Sequence, residues 1–371
     1  MSNVTPYSQP QGWAPVPTRS AGLKALEIVG IALGLVGMVT VVGIVIGQSS
    51  ANATAIATMI AFLPLLLVIA AIMWVDRWEP EPKLTLLLAF AWGAGVSTWT
   101  SLQLNTAIFE GLWAGGMDVY AAELVSAAVG APIVEEITKG LGVLLIFLFQ
   151  RRHFDGPLDG FVYAATLAAG FAFVENILYF VQYSDVIGSV FVGRAIMSPF
   201  AHIVFTAMIG MLLGVAARSG SWFSWIWLFP LGLVLAILLH GVWNFSTFSA
   251  SYYLLYLLLQ VPMFVTGVGI LYWLRHSEKL ILLERLNEYA LAGWFSPGEV
   301  HMLTSLGERR RARNWAKSRG RKNEMKAFQK YATDLAYLRE KLATGRVRRT
   351  SQQDQQALLN AVTQARASLF A

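Results

Sequence analysis

Glu135, Glu136 and Lys139 interrupt an apolar stretch, Ala131-Pro132-Ile133-Val134-Glu135-Glu136-Ile137-Thr138-Lys139. On a helix the lysine lies one turn after both glutamates, so its ammonium can reach either carboxylate. A buried ion pair that fixes helix packing is one reading of such a set. Two adjacent glutamates need more than one lysine, however, and a carboxylate ready to take up a proton is what general-base chemistry requires. His202 with Thr206, and His240 with Asn244, repeat one pattern of an imidazole and a hydrogen-bonding side chain one helical turn apart. A single imidazole in such a setting can be no more than an interhelical hydrogen bond. Two of them on consecutive apolar runs, beside a third carrying Glu175-Asn176, point to chemistry. His153, His276 and His301 fall outside the apolar runs and are assigned no role.

Carboxylates, imidazoles and an amide suit hydrolysis by an activated water. Glu135, His202 and His240 could ligate zinc, and the same groups can also activate water directly. The chain has no cysteine, which excludes a thiolate nucleophile, a Cys-ligated metal and a disulfide framework. There is no His-Glu-x-x-His and no Gly-x-Gly-Asp, and Gly95-Val96-Ser97 with His240 is too common a pairing to indicate a serine dyad. Buried Glu, Lys and His also occur in ion-coupled transporters, but the sequence lacks an internal repeat and paired Gly/Pro-broken segments. A non-catalytic scaffold is disfavoured because carboxylates, imidazoles and Asn244 are all present.

The elements that must position these groups are transmembrane helices. The chain of 371 residues is 56% hydrophobic and 13% charged, with a mean hydropathy of +0.54. About eight runs reach the ~20 residues needed to cross a bilayer: 23–47, 53–75, 84–104, 121–149, 158–181, 192–217, 225–245 and 252–274. Basic residues cluster on alternate connections, at Arg19 and Lys24, Arg77 and Lys83, Arg151 and Arg152, Arg218, and from Arg275 onward. The connections 48–52, 105–120, 183–191 and 246–251 hold no Lys or Arg. The positive-inside rule therefore predicts a multi-pass protein of the cell membrane with both termini cytoplasmic. Arg194 is the exception and is expected to snorkel to the interface. Trp74, Trp78, Trp113, Trp222, Trp225 and Trp273 fall near span ends as expected interfacial anchors. At ~1.5 Å per residue, His202 lies roughly 15 Å and His240 roughly 8 Å below the outer ends of their runs, with Glu135 near mid-span.

After Leu274 the character changes: about nineteen of the basic residues but only about nine of the acidic ones lie there. Phe328, Tyr331, Leu335, Leu338 and Leu342, then Leu358, Val362, Ala365 and Leu369, are spaced as two amphipathic helices that can pack together. The basic stretch from Arg309-Arg310-Arg311-Ala312-Arg313 to Arg321-Lys322, just beyond a membrane span, suits anionic lipid, and no nucleic-acid partner is expected. The Pro-, Gln- and Ser-rich beginning lacks a signal-peptide layout.

Taken together, Glu135-Glu136-x-x-Lys139, Phe171-x-x-x-Glu175-Asn176-Ile177-x-Tyr179, His202-x-x-x-Thr206 and His240-Gly241-x-x-Asn244 resemble the pattern of PrsW proteases, in order and on successive spans. Asp159-Gly160-x-Val162-Tyr163 and Asp76-Arg77-Trp78-Glu79-Pro80-Glu81-Pro82 add to the likeness, which covers roughly 53–274. PrsW proteins are grouped with the type II CAAX prenyl endopeptidases. The resemblance implies a glutamate-type intramembrane endopeptidase in which Glu135 and Glu136 activate water, His202 and His240 are active-site imidazoles and Asn244 is an oxyanion donor. It implies a single-span, anti-sigma-factor-like membrane substrate cut on the extracytoplasmic side. By the same analogy no cofactor is expected, with zinc as the alternative. CAAX endopeptidases carry Phe-x-x-x-His where this chain has Phe171-x-x-x-Glu175, so the partner at that position has changed from an imidazole to a carboxylate. The expected architecture is all-α: a disordered lead at 1–22, a transmembrane protease domain at 23–274, and a basic helical cytoplasmic tail at 275–371.

Overall fold

The computed structural model describes residues 21–151, 154–219, 221, 223–345 and 351–370. Arg19, Arg152, His153 and Trp222, with the expected lead up to Ser20, lie outside the described residues. Those described are helical, with no strand among them.

α1 (Ala21–Gln48) and α2 (Ala51–Val75) are joined at Ser50, whose hydroxyl caps α2 by accepting the Ala53 N–H at 3.1 Å. α3 (Lys83–Ala91) continues into α4 (Thr98–Ala114) through a π-helical turn, Trp92–Ser97. α5 (Val119–Val125) passes into α6 (Ala131–Phe149) the same way through Ser126–Gly130. α7 (Pro157–Gln182) begins where the Asp159 carboxylate accepts the N–H groups of Asp155 and Gly156. α8 (Ile187–Phe191) and a π turn, Val192–Met197, precede α9 (Ala201–Arg218). α10 (Trp225–Thr247), α11 (Tyr252–Leu255) and α12 (Val261–Leu291) follow.

Six helical runs among the described residues are long and apolar enough to cross a membrane: 21–48, 51–75, 157–182, 184–218, 225–247 and 252–291. The other two of the eight expected runs are continuous helix as well, at 83–114 and 119–149. Their composition differs. The first is diluted by Trp92, Gly93, Gly95, Ser97 and Thr98, and the second holds Glu135, Glu136 and Lys139 within one window. Several expected boundaries are corrected: α1 begins at Ala21, inside the expected lead, and α4 runs on to Ala114. The run containing His202 is broken at Ser198-Pro199-Phe200, because proline removes a backbone donor, so His202 is the second residue of α9 and no straight-helix depth applies to it. The last span does not end at Leu274 but continues as helix to Leu291.

α7 is the central helix, packed against α2, α3, α6 and α9, and most of its residues are buried. Small residues permit this. A Cβ on Gly160 would lie 1.9 Å from the Gly210 carbonyl oxygen, so α7 and α9 touch backbone to backbone. Trp78 is 6% exposed and packs inside, unlike the exposed Trp113 and Trp273.

The chain divides into two compact units between Arg275 and His276, within α12. In the unit that follows, α13 (Pro297–Leu303), α14 (Leu306–Ser318), α15 (Lys322–Ala343) and α16 (Ser351–Phe370) complete a helical bundle. α15 and α16 pack on one another and bury Phe328, Leu335, Leu358, Val362, Ala365 and Leu369. Arg309 departs from the expected basic surface. It is buried, and its guanidinium donates to the Gln329 carbonyl and the Thr333 hydroxyl, whereas Arg310 and Arg311 are exposed.

Candidate active site

Four helices bring the expected residues together: α6 carries Glu135, Glu136 and Lys139, α7 Glu175 and Asn176, α9 His202 and Thr206, and α10 His240 and Asn244. Glu136 is fully buried and saturated. Its Oε1 accepts from Lys139 Nζ at 2.7 Å and lies 3.0 Å from His240 Nδ1, while its Oε2 accepts from the Thr206 hydroxyl at 2.9 Å. A carboxylate beside Nδ1 makes that nitrogen the N–H donor and turns Nε2 to the other side of the ring. His240 Nε2 lies 3.9 Å from Glu135 Oε2, and Lys139 Nζ lies 3.5 Å from the same oxygen. Rings pack around these groups: Phe205 stacks on His240 at 4.8 Å between centroids, and the Phe171 ring centroid lies 4.1 Å from the Lys139 ammonium.

His202 is held from both sides, with Nε2 at 2.8 Å from Glu175 Oε2 and Nδ1 at 3.2 Å from Lys139 Nζ. Arg194 corrects an expectation. Rather than reaching to an interface, it turns inward, pairs with Glu175, donates through Nε to Asn176 Oδ1 at 2.7 Å and lies over the Tyr179 ring at 4.3 Å. An unpaired Glu175 would be costly in this setting, and the guanidinium supplies the partner.

Asn105 was missed by sequence reasoning. It falls one residue beyond the expected end of the third run and so reads as loop, but α4 extends to Ala114 and keeps it in the bundle. Its Nδ2 donates to Glu135 Oε1 at 3.3 Å. Asn105 Oδ1 and Glu135 Oε2 are both buried and have no hydrogen-bond partner among the described residues. Asn244 donates to the Ala127 carbonyl at 2.8 Å, in the π turn preceding α6, where helical hydrogen bonding is disrupted. That contact uses one of its two amide hydrogens.

A cavity of 760 Å³ is lined by Glu135, Glu175, Asn176, His202, His240 and Asn244. Its lining also includes Gln48, Ser49, Asn105, Thr106, Gln182 and Ser184, at or near the connections that hold no Lys or Arg.

The donor atoms of Glu135, His202 and His240 lie within 4.8 Å of one another, and one carboxylate with two imidazoles is a set that can hold catalytic zinc. The surroundings do not fit a divalent cation. The Glu175 contact at His202 Nε2 is compatible with a metal at Nδ1, but the Lys139 ammonium stands 3.2 Å from Nδ1 and 3.5 Å from Glu135 Oε2, where its positive charge opposes a metal's.

Residues 81–267 match the family described as PrsW family intramembrane metalloprotease. The chain is 30% identical over 192 residues to the protein named Protease PrsW of Clostridioides difficile (strain 630), covering 50% of this chain and 77% of that one. It is 31% identical over 183 residues to Protease PrsW of Bacillus subtilis (strain 168), covering 49% and 78%. Protease PrsW of Oceanobacillus iheyensis is 31% identical over 169 residues, covering 46% and 71%. No solved structure matches the chain.

Proposed function

The chain belongs to the PrsW family of intramembrane proteases, and from that premise we propose that it cuts a single-span membrane protein on the extracytoplasmic side with a glutamate-activated water. The observation that carries this reading is Glu135 Oε2: a buried carboxylate oxygen in a cavity wall, without a hydrogen-bond partner among the described residues and facing His240 Nε2 and Lys139 Nζ.

Glu135 takes a proton from water while the water oxygen bonds to the substrate carbonyl carbon, and the carbonyl electron pair moves onto its oxygen. His240, aimed by Glu136, orients the water. Asn244 donates its second amide hydrogen to the oxyanion. When the C–N bond breaks, the proton held by Glu135 passes to the leaving amine. Lys139 offsets the charge of the two glutamates, and Glu175 with Arg194 holds His202 in the cavity wall. No step runs through a metal.

The side of cleavage is supported by the cavity lining, part of which lies at or near connections without Lys or Arg, and by the basic opposite connections, which favour cytoplasmic termini. An anti-sigma-like substrate is the class suggested by the family. The exposed Arg310, Arg311, Lys317, Arg319 and Lys322 suit anionic lipid, with no nucleic acid involved.

The test is to reconstitute the purified chain with single-span proteins bearing extracytoplasmic segments and to sequence the released fragments. Cleavage by the wild type on the extracytoplasmic side, absent with Glu135→Gln, supports the proposal. Cleavage on the cytoplasmic side, or full turnover by Glu135→Gln, overturns it.

A further inference from the structure

α1 lies outside the segment that matches the family, which begins at residue 81, yet it is built into the wall of the active-site cavity. Its first half carries a carboxylate, Glu27, that is 2% exposed. Such a group is costly in a membrane helix unless it is bonded, and Thr85 Oγ1 of α3 donates to it at 2.6 Å, with Gln150 Nε2 as a second donor.

The middle of α1 is a seam of close backbone contact. A Cβ on Gly95 would stand 1.7 Å from the Gly34 carbonyl oxygen, and one on Gly34 would stand 2.3 Å from that of Ala91. Interdigitation this tight leaves α1 no freedom to slide along the π turn at Trp92–Ser97. Val41 and Val45 above the seam are 0% and 2% exposed. At the far end Val45, Gln48 and Ser49 line the same cavity as Glu135 and His240. Gln182, the last residue of α7, and Ser184, two residues on, line the same cavity.

We infer that α1 is a specificity element of this protease: Gln48 and Ser49, held in place by the Glu27 bonds and the glycine seam, form with Gln182 and Ser184 a polar subsite for substrate residues flanking the scissile bond. This rests on the reading of the cavity as the active site. The amides of Gln48 and Gln182 can both donate and accept, and the Ser49 hydroxyl, which donates to the Val45 carbonyl at 2.9 Å, keeps lone pairs to accept; such a set suits a hydrogen-bonding segment of substrate, one with amide, hydroxyl or exposed backbone groups rather than an apolar span. An apolar flank would leave these groups without partners, which is how such a subsite discriminates.

The experiment uses the full chain in proteoliposomes with two synthetic single-span peptides, identical except that the extracytoplasmic flank is Ser/Gln-rich in one and Leu/Val-rich in the other. Wild type should prefer the Ser/Gln-rich peptide in kcat/KM by about tenfold or more. The paired variant Gln48→Leu with Ser49→Ala should lose that preference, with the KM for the Ser/Gln-rich peptide rising by about tenfold. Gly34→Leu, which displaces α1 as a whole, should lose the preference too, and thermal melting reports whether it still folds. Glu135→Gln serves as the control for the underlying reading. If Glu135→Gln is inactive while Gln48→Leu with Ser49→Ala keeps the wild-type preference, the specificity role is overturned. If wild type cuts neither peptide, or Glu135→Gln cuts as wild type does, the protease site itself is misassigned.

Discussion

Glu135 and Glu136 are neighbours in the chain and opposites in their bonding: both oxygens of Glu136 are bonded to side chains of α6, α9 and α10, while Glu135 keeps Oε2 without a hydrogen-bond partner among the described residues. The sequence suggests that the two share proton transfer; the difference in bonding is the reason Glu135 is proposed as the base and Glu136 as its support. Glu135→Gln should lower kcat by about 10²- to 10⁴-fold with little change in melting temperature. Glu136→Gln should lower both, because it leaves a buried lysine without its closest partner, a loss on the order of 3–5 kcal/mol. Melting curves in detergent beside turnover assays separate the two cases. Full activity in either variant would contradict the assignment.

Asn244 is asked to do two things at once, bonding Ala127 and meeting an oxyanion. Losing an oxyanion donor costs ~10²- to 10³-fold in rate. Losing an interhelical hydrogen bond costs about 0.6 kcal/mol on average. Asn244→Ala should therefore slow turnover by far more than its small stability loss explains, with KM unchanged. A rate loss that simply follows the folded fraction would leave Asn244 as a helix tie alone.

The glutamates, imidazoles and their helices were legible because an ionisable residue in an apolar run is conspicuous whatever its partner. Thr206 and Asn244 followed from helical spacing, and both face where that spacing puts them. Arg194 and Asn105 were not legible, for a common reason: both stand near span ends, where hydropathy cannot tell a residue leaving the bundle from one turning inward. The π turns at 92–97 and 126–130 shift the helix faces, which a 3.6-residue period cannot anticipate. The break before His202 was foreshadowed by Pro199 and was missed because the surrounding residues are apolar.

Arg194 and Glu175 should behave as a unit. Arg194→Met leaves Glu175 beside His202 without its strongest partner, so both activity and stability should fall. Adding Glu175→Gln to that variant should restore part of the stability, a positive coupling that independent residues would not show. A double-mutant cycle on melting temperature checks this. Strict additivity would mean that the pair is incidental.

Metal removal gives a separate outcome. With Lys139 beside both Glu135 and His202 Nδ1, EDTA or 1,10-phenanthroline should leave turnover unchanged, and elemental analysis of the purified protein should find zinc below one equivalent. Activity lost to chelator and recovered with zinc would require Lys139 to leave His202 Nδ1 on loading and would replace the metal-free route.

Outside the membrane helices, Asp76 follows the end of α2, and both of its oxygens face the Glu81 N–H, at 3.1 and 3.2 Å. Burial lifts its carboxyl from 3.8 to about 7, with the Glu81 N–H pulling the other way. Burial, helped by the negative charge of Asp159, also holds Glu81 well above the usual carboxylate range, against a hydrogen bond from the Tyr163 hydroxyl. A carboxyl raised in the fold binds its proton there more tightly than in the unfolded chain, so the native state carries the extra proton across the window between the two values. Stability is then greatest at the acid end of that window and falls as pH rises from about 4 towards 7. Asp76→Asn keeps a carbonyl oxygen for the Glu81 N–H and removes the ionisation, so its melting temperature should fall less than that of the wild type across the same range. Melts of both proteins in one detergent, taken in half-unit steps of pH, measure the difference. Parallel curves would mean that Asp76 ionises in the fold as freely as it does in the unfolded chain.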